Sequence, residues 1–191
     1  LERPNLRDLT IASISNLGVG GVFFEVWADT ASFDQVEYAV GVDRTYANIY
    51  SYRGRSPFHR AQDNLGLVVT DTLVSPLGNR MAILETRAEL RGAQYHLEVV
   101  MAEPDSSDFY YRFMTTGQGS FDVWSSYYLG SSTIIAGGLP TPTQFPDIVK
   151  YVLPDNEQKI VDSWACSEHV LTVANYQNET NYIDYNGLPQ S

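Results

Sequence analysis

Ser167, Glu168 and His169 stand side by side near the C-terminus and hold the side-chain types of a nucleophile, an orienting carboxylate and a general base. Acyl-transfer chemistry needs those groups hydrogen-bonded in series. Neighbours in a strand point to opposite faces, and neighbours on a helix do not face each other. The three side chains therefore cannot converge, and their adjacency is coincidental. Two other histidines remain. His96 falls mid-strand opposite the apolar residues, which predicts a solvent-facing ring. His59 lies in an arginine-bearing loop with Arg53, Arg55 and Arg60, which reads as a solvated turn or as a contact for an anion or partner. No two histidines have metal-ligand spacing. Cys166 is the single cysteine, so neither an internal disulfide nor a structural zinc site can form.

Other chemistry-bearing patterns are missing. The sequence has no G-x-S-x-G elbow, no H-E-x-x-H helix and no Walker-type loop. Gly18-Val19-Gly20-Gly21 precedes a strand, whereas a phosphate cradle follows a strand and opens a helix. It reads as a flexible lead-in to a strand. Glu103 and Asp105 sit in a proline-containing turn, where bonding to the local backbone is the ordinary role. Clustered carboxylates elsewhere could ligate calcium, or simply be solvated.

Aromatic residues are the feature able to carry binding. Trp27, Trp124, Tyr127 and Tyr128 fall on, or one step off, the non-core side of their strands. Such rings can stack on the apolar faces of sugars, or pack against another domain, which also demands large amphipathic contact area.

The elements beneath these residues alternate with period two. Val22, Phe24 and Val26 share a face around Glu25; Tyr95, Leu97, Val99 and Met101 share another, opposite His96 and Glu98. Phe109, Tyr111 and Phe113 follow, then Phe121 and Val123. Further strands are predicted at Gln35–Val42, Thr45–Tyr52, Leu65–Val74 and Met81–Leu90, separated by Gly-, Pro-, Ser- and Asp-rich turns. Short strands with one wet and one buried side, at regular spacing, predict an all-β fold. The expected architecture is a jelly-roll-like antiparallel β-sandwich over residues 17–139. Residues 1–16 form a short helix or an extended lead-in. The linker-like Gly137–Thr143 run leads into residues 140–191, a linker and core-like segment with a helical turn starting at Pro146-Asp147, of which residues 149–191 leave the sandwich rhythm.

Composition sets limits on partners. The 191 residues carry a net charge of −11, and residues 92–191 hold twelve acids against Arg112, Lys150 and Lys159. An acidic surface repels phosphate backbones, so nucleic acid is excluded as a partner. Ten arginines and two lysines leave no polybasic patch for anionic lipid, and no apolar run approaches the ~20 residues of a membrane-spanning helix. Leu1-Glu2-Arg3-Pro4 reads as a cut inside a longer chain, with no signal peptide visible.

One segment carries a family likeness. Ser167-Glu168-His169-Val170-Leu171-Thr172-Val173-Ala174-Asn175-Tyr176, then Asn181-Tyr182-Ile183-Asp184-Tyr185-Asn186-Gly187, resembles the late core strand of subtilisin-like serine peptidases. There, a V-I-T-V-G-A-Y strand leads toward the nucleophilic serine. Ala174-Asn175-Tyr176 stands where Gly-Ala-Tyr is usual, and Trp164-Ala165-Cys166-Ser167 lacks the Pro or Gly of the preceding turn. Phe24-Glu25-Val26-Trp27-Ala28-Asp29 is similar to the V-E-I-W strand that opens a jelly-roll insert in some bacterial members. The resemblance implies a non-catalytic insert domain, with a C-terminal segment belonging to the parent core. The triad and the oxyanion-hole Asn would then lie outside this chain, so no catalytic residue carries over. It also implies an exported parent, a catalytic domain as partner, and protein or peptide substrates met through that parent. An unpaired apolar strand at 170–174 would make the fragment prone to self-association.

Overall fold

Alternating apolar and polar positions build two sheets whose apolar sides meet. The computed structural model describes residues 7–12, 21–46, 49–105, 109–125, 133–134, 140–152, 182–183 and 189–190. The chain divides into two units, Leu1–Pro154 and Asp155–Ser191. In the first unit, β1 (Arg7–Ala12), β3 (Glu37–Tyr46), β4 (Ile49–Arg55), β8 (Phe109–Thr116) and β10 (Thr133–Ile134) join in the order β10-β1-β8-β3-β4. A short β11 (Tyr151–Val152) adds to β1 in parallel, pairing Asp8 with Tyr151 and Leu9 with Val152. The second sheet runs β5-β6-β7-β2-β9, from β2 (Gly21–Asp29), β5 (Val68–Val74), β6 (Arg80–Arg91), β7 (Gln94–Ala102) and β9 (Asp122–Ser125). Within the second unit, β12 (Tyr182–Ile183) pairs antiparallel with β13 (Pro189–Gln190).

The all-β sandwich expected from the alternation is present. The chain changes sheets repeatedly, β1 to β2, β2 to β3, β4 to β5, β7 to β8, β8 to β9 and β9 to β10, and the returning β8 pairs with β1 as β7 pairs with β2. That nesting of β2–β7 inside β1–β8 gives the jelly-roll-like character. The lead-in segment is extended over β1 rather than helical. The strand expected from Leu65 starts at Val68, because a 3-10 turn at Ala61–Asn64 and Gly66, with φ of 75°, precede it. The turn expected at Pro146 is a 3-10 turn over Pro146–Lys150. The segments at 18–20 and 167–176 lie outside the described residues.

The core follows directly from the alternation. Phe24, Val26, Leu97 and Val99 on one sheet face Tyr38, Val40, Tyr111 and Phe113 on the other. Phe113 centres an aromatic cluster, with ring centroids 5.7 Å from Phe24, 5.8 Å from Tyr38 and 5.4 Å from Phe121. Buried polar groups are mostly paired, as desolvation requires. The Tyr38 hydroxyl donates to Thr86 Oγ1 at 3.2 Å. The Tyr111 hydroxyl, also fully buried, has no hydrogen-bond partner among the described residues.

The outer side of the six-stranded sheet is buried too. Asp43 and Arg112 are 0% and 3% exposed and form an ion pair, Nε to Oδ2, at 2.7 Å. Tyr151 folds over them, donating its hydroxyl to Asp43 at 2.6 Å and placing its ring 4.7 Å from the Arg112 guanidinium. Tyr52 lies 5.3 Å away on the same guanidinium. Gly41 makes this possible: a Cβ there would lie 2.9 Å from Arg112 Nη2 and 2.5 Å from Met114 Sδ. Gly54 serves the opposite edge, where φ of 145° brings β4 against the Val74 carbonyl of β5.

Candidate functional site

The other outer face, that of the five-stranded sheet, carries the aromatic residues singled out from the sequence. Side chains repeat every second residue along a strand, and neighbouring strands lie ~4.8 Å apart, so register places them in rows. One row reads Asp122, Trp27, His96, Glu89 across β9, β2, β7 and β6. The next reads Trp124, Glu25, Glu98, Arg87. The structure thus brings Trp27 and Trp124 onto one face in adjacent rows. Tyr127 and Tyr128 lie outside the described residues.

The two tryptophans have different surroundings. Trp27 is half-buried, stacked on the His96 ring at 4.3 Å and 24°, and its Nε1 donates to Glu25 Oε2 at 3.3 Å. Trp124 keeps 38% of its surface exposed. His96 departs from the solvent-facing reading. It is on the outer side, as the alternation requires, but only 8% exposed because the Trp27 indole covers it. Its Nε2 lies 3.3 Å from Glu25 Oε2, within ion-pair reach, yet makes no aligned hydrogen bond. The separation is reachable and the angle is poor, so the contact is weak unless the ring is protonated.

Charge on this face is unbalanced. Glu89 holds both Arg87 and Arg91, at 2.5 Å each. Glu25, Glu85, Glu98 and Asp122 have no arginine or lysine partner among the described residues. Trp27 and Trp124 were legible as outward-facing. Glu25 and His96 became part of the site only through the pairing of β2 with β7, which no local pattern specifies.

His59 belongs to a second cluster. Its Nε2 meets Asp71 Oδ2 at 2.8 Å, both side chains being four-fifths or more buried. The loop is therefore fixed by an internal carboxylate rather than solvated, and His59 also exchanges backbone hydrogen bonds with Tyr38. A hydrolase relay holds its histidine through Nδ1 and leaves Nε2 for the nucleophile, whereas here the carboxylate occupies Nε2. Among the described residues no Ser, Thr or Cys side chain hydrogen-bonds to the ring. Nearby, burial raises the Tyr38 hydroxyl above its usual range, opposed by the Thr86 bond and helped by Asp71. Burial and the Asp34 carboxylate that accepts its proton push the Tyr95 hydroxyl up to about 12.

Among the described residues, no group of three or more His, Cys, Asp or Glu side chains is arranged to hold a metal ion, and no helix is long and apolar enough to cross a membrane. Glu103 and Asp105, expected to bond to their local backbone, instead pair with the Arg80 side chain at 2.5 and 3.6 Å.

No protein-family model and no curated protein matches the chain. Among solved structures, the chain is similar to the Clostridium perfringens CspB protease at 13% identity and a TM-score of 0.37. The match covers 64% of this chain and 23% of that one. A likeness at this level fixes neither family nor activity.

Proposed function

We propose that this chain is a non-catalytic accessory domain inserted in a subtilisin-like serine endopeptidase. In this reading it stabilises the catalytic domain or shapes access to its cleft. The observation that carries the reading is the pairing of β1 with β11. Leu9 and Val152 are register partners, so the chain enters and leaves the sandwich on neighbouring strands. A domain whose ends lie side by side can be spliced into a loop of a host without prying the host apart. The likeness of Phe24–Asp29 and of residues 166–187 to peptidase segments supports a subtilisin-like host. The partner is then the catalytic domain of the parent chain, substrates are proteins or peptides reached through that parent, and the location is exported. Packing a rigid sandwich on a protease raises the cost of local opening, and with it resistance to self-cleavage.

The test is direct. Purified chain should hydrolyse neither casein nor peptide esters, and turnover abolished by a serine-directed inhibitor would refute the reading. A second reading, a carbohydrate-binding sandwich, draws on the exposed Trp124 with the acceptors Glu25 and Asp122 on its face. It requires saturable sugar binding that Trp124→Ala removes, and a glycan array without hits eliminates it.

A further inference from the structure

We infer that the open face of the five-stranded sheet receives a cationic protein surface, seating an arginine between Trp124 and Glu25. This rests on the reading that the face meets protein rather than sugar, and it specifies the chemistry of the partner.

Three observations point the same way. Glu25, Glu85, Glu98 and Asp122 present carboxylates on one sheet face with no Arg or Lys partner among the described residues. Glu25 is held in place: its Oε2 takes the Trp27 N–H and faces the Nε2 of His96, which is nine-tenths buried and lacks an aligned partner. Its Oε1 has no hydrogen-bond partner among the described residues, and the side chain is one-third exposed. Trp124 lies directly opposite Glu25 in register and is 38% exposed. Opposed Cβ atoms sit ~5 Å apart, so one planar guanidinium can lie on the indole while its N–H fork reaches the carboxylate. An ammonium, lacking the plane and the fork, fits less well. A neutral sugar would leave the carboxylate excess uncompensated.

The test titrates the 191-residue chain with a short arginine–glycine peptide, its lysine counterpart and the isosteric neutral citrulline peptide, read by tryptophan fluorescence and indole N–H shifts. The arginine peptide is expected to bind more tightly than the lysine peptide, and the citrulline peptide not at all. Trp124→Ala and Glu25→Gln should each weaken binding by about two- to fivefold, the size of an exposed cation–π or charge-assisted contact. Glu98→Gln serves as a second variant in case Glu25→Gln disturbs Trp27. Glu103→Gln, which is not on this face, should change nothing. Equal binding by all variants would mean diffuse attraction to net charge and would overturn the inference. So would failure of the arginine peptide to bind, or equal binding of arginine and citrulline peptides. Failure there, with no glycan binding, removes the arginine site but not the protein-packing reading; glycan binding at Trp124 removes both.

Discussion

Replacing Arg112 by Met tests whether the outer side of the six-stranded sheet is held by a dry ion pair. Asp43 is fully buried and takes Arg112 at 2.7 Å and the Tyr151 hydroxyl at 2.6 Å. Removing the guanidinium takes the charged partner from a buried carboxylate, a change that costs roughly 3–5 kcal/mol in comparable sites. With a urea dependence of about 2 kcal/mol per molar, the unfolding midpoint should fall by roughly 2 M. Replacing both partners, Asp43→Leu with Arg112→Met, removes the stranded charge and should recover most of the loss. Tyr151→Phe deletes one hydrogen bond to a charged acceptor and should cost about 1.5–3 kcal/mol. Urea unfolding followed by circular dichroism reads all four proteins. A loss under about 1 kcal/mol for Arg112→Met would show that water reaches the pair and would refute the reasoning. A neutral Tyr151→Phe would detach residues 140–152 from the account.

Three further outcomes follow from single groups. Tyr111→Phe removes a buried hydroxyl without a partner among the described residues, so stability should hold or rise by up to about 1 kcal/mol on thermal unfolding. Gly41→Ala drives a methyl into Met114 and the Arg112 guanidinium and should cost roughly 1–3 kcal/mol by overpacking, measured in the same urea assay. The Tyr95 and Tyr38 hydroxyls titrate above the usual 10.0, Tyr95 at about 12, so the folded state holds these protons more tightly than the unfolded chain. The Tyr95 contribution is intact below pH 10 and is lost as pH climbs through about 12; Tyr95→Phe should reduce that alkaline loss in a pH series of melting temperatures.

Much of the sandwich was legible because its signal is local. Val22, Phe24 and Val26 against Glu25 announce a two-sided strand, and all three are buried. The outward placement of Trp27 and Trp124 came from the same alternation. The neighbours of those rings did not, because Glu25 and His96 meet only when β2 pairs with a strand some seventy residues later. His96 shows the limit well: parity set its side of the sheet, but an indole from another strand set its exposure. The Asp43–Arg112–Tyr151 cluster was invisible for a related reason. An acid, a base and a phenol spread over 108 residues of sequence separation carry no periodic mark, and only the sheet brings them together.

The pairing of β1 with β8 and β11 also dictates when this sandwich can be finished. A ribosome adding about 5–20 residues per second needs roughly 7–30 s to travel from Asp8 to Tyr151. Until then β1 can pair with β8, made by residue 116, but its other edge lacks β11, while β2 with β7 and β3 with β4 and β8 can already zip. Such remote pairings make for slow folding. One edge of the first strand stays open until β11 is made, and a chaperone that shields that edge during the interval should raise the yield of native protein.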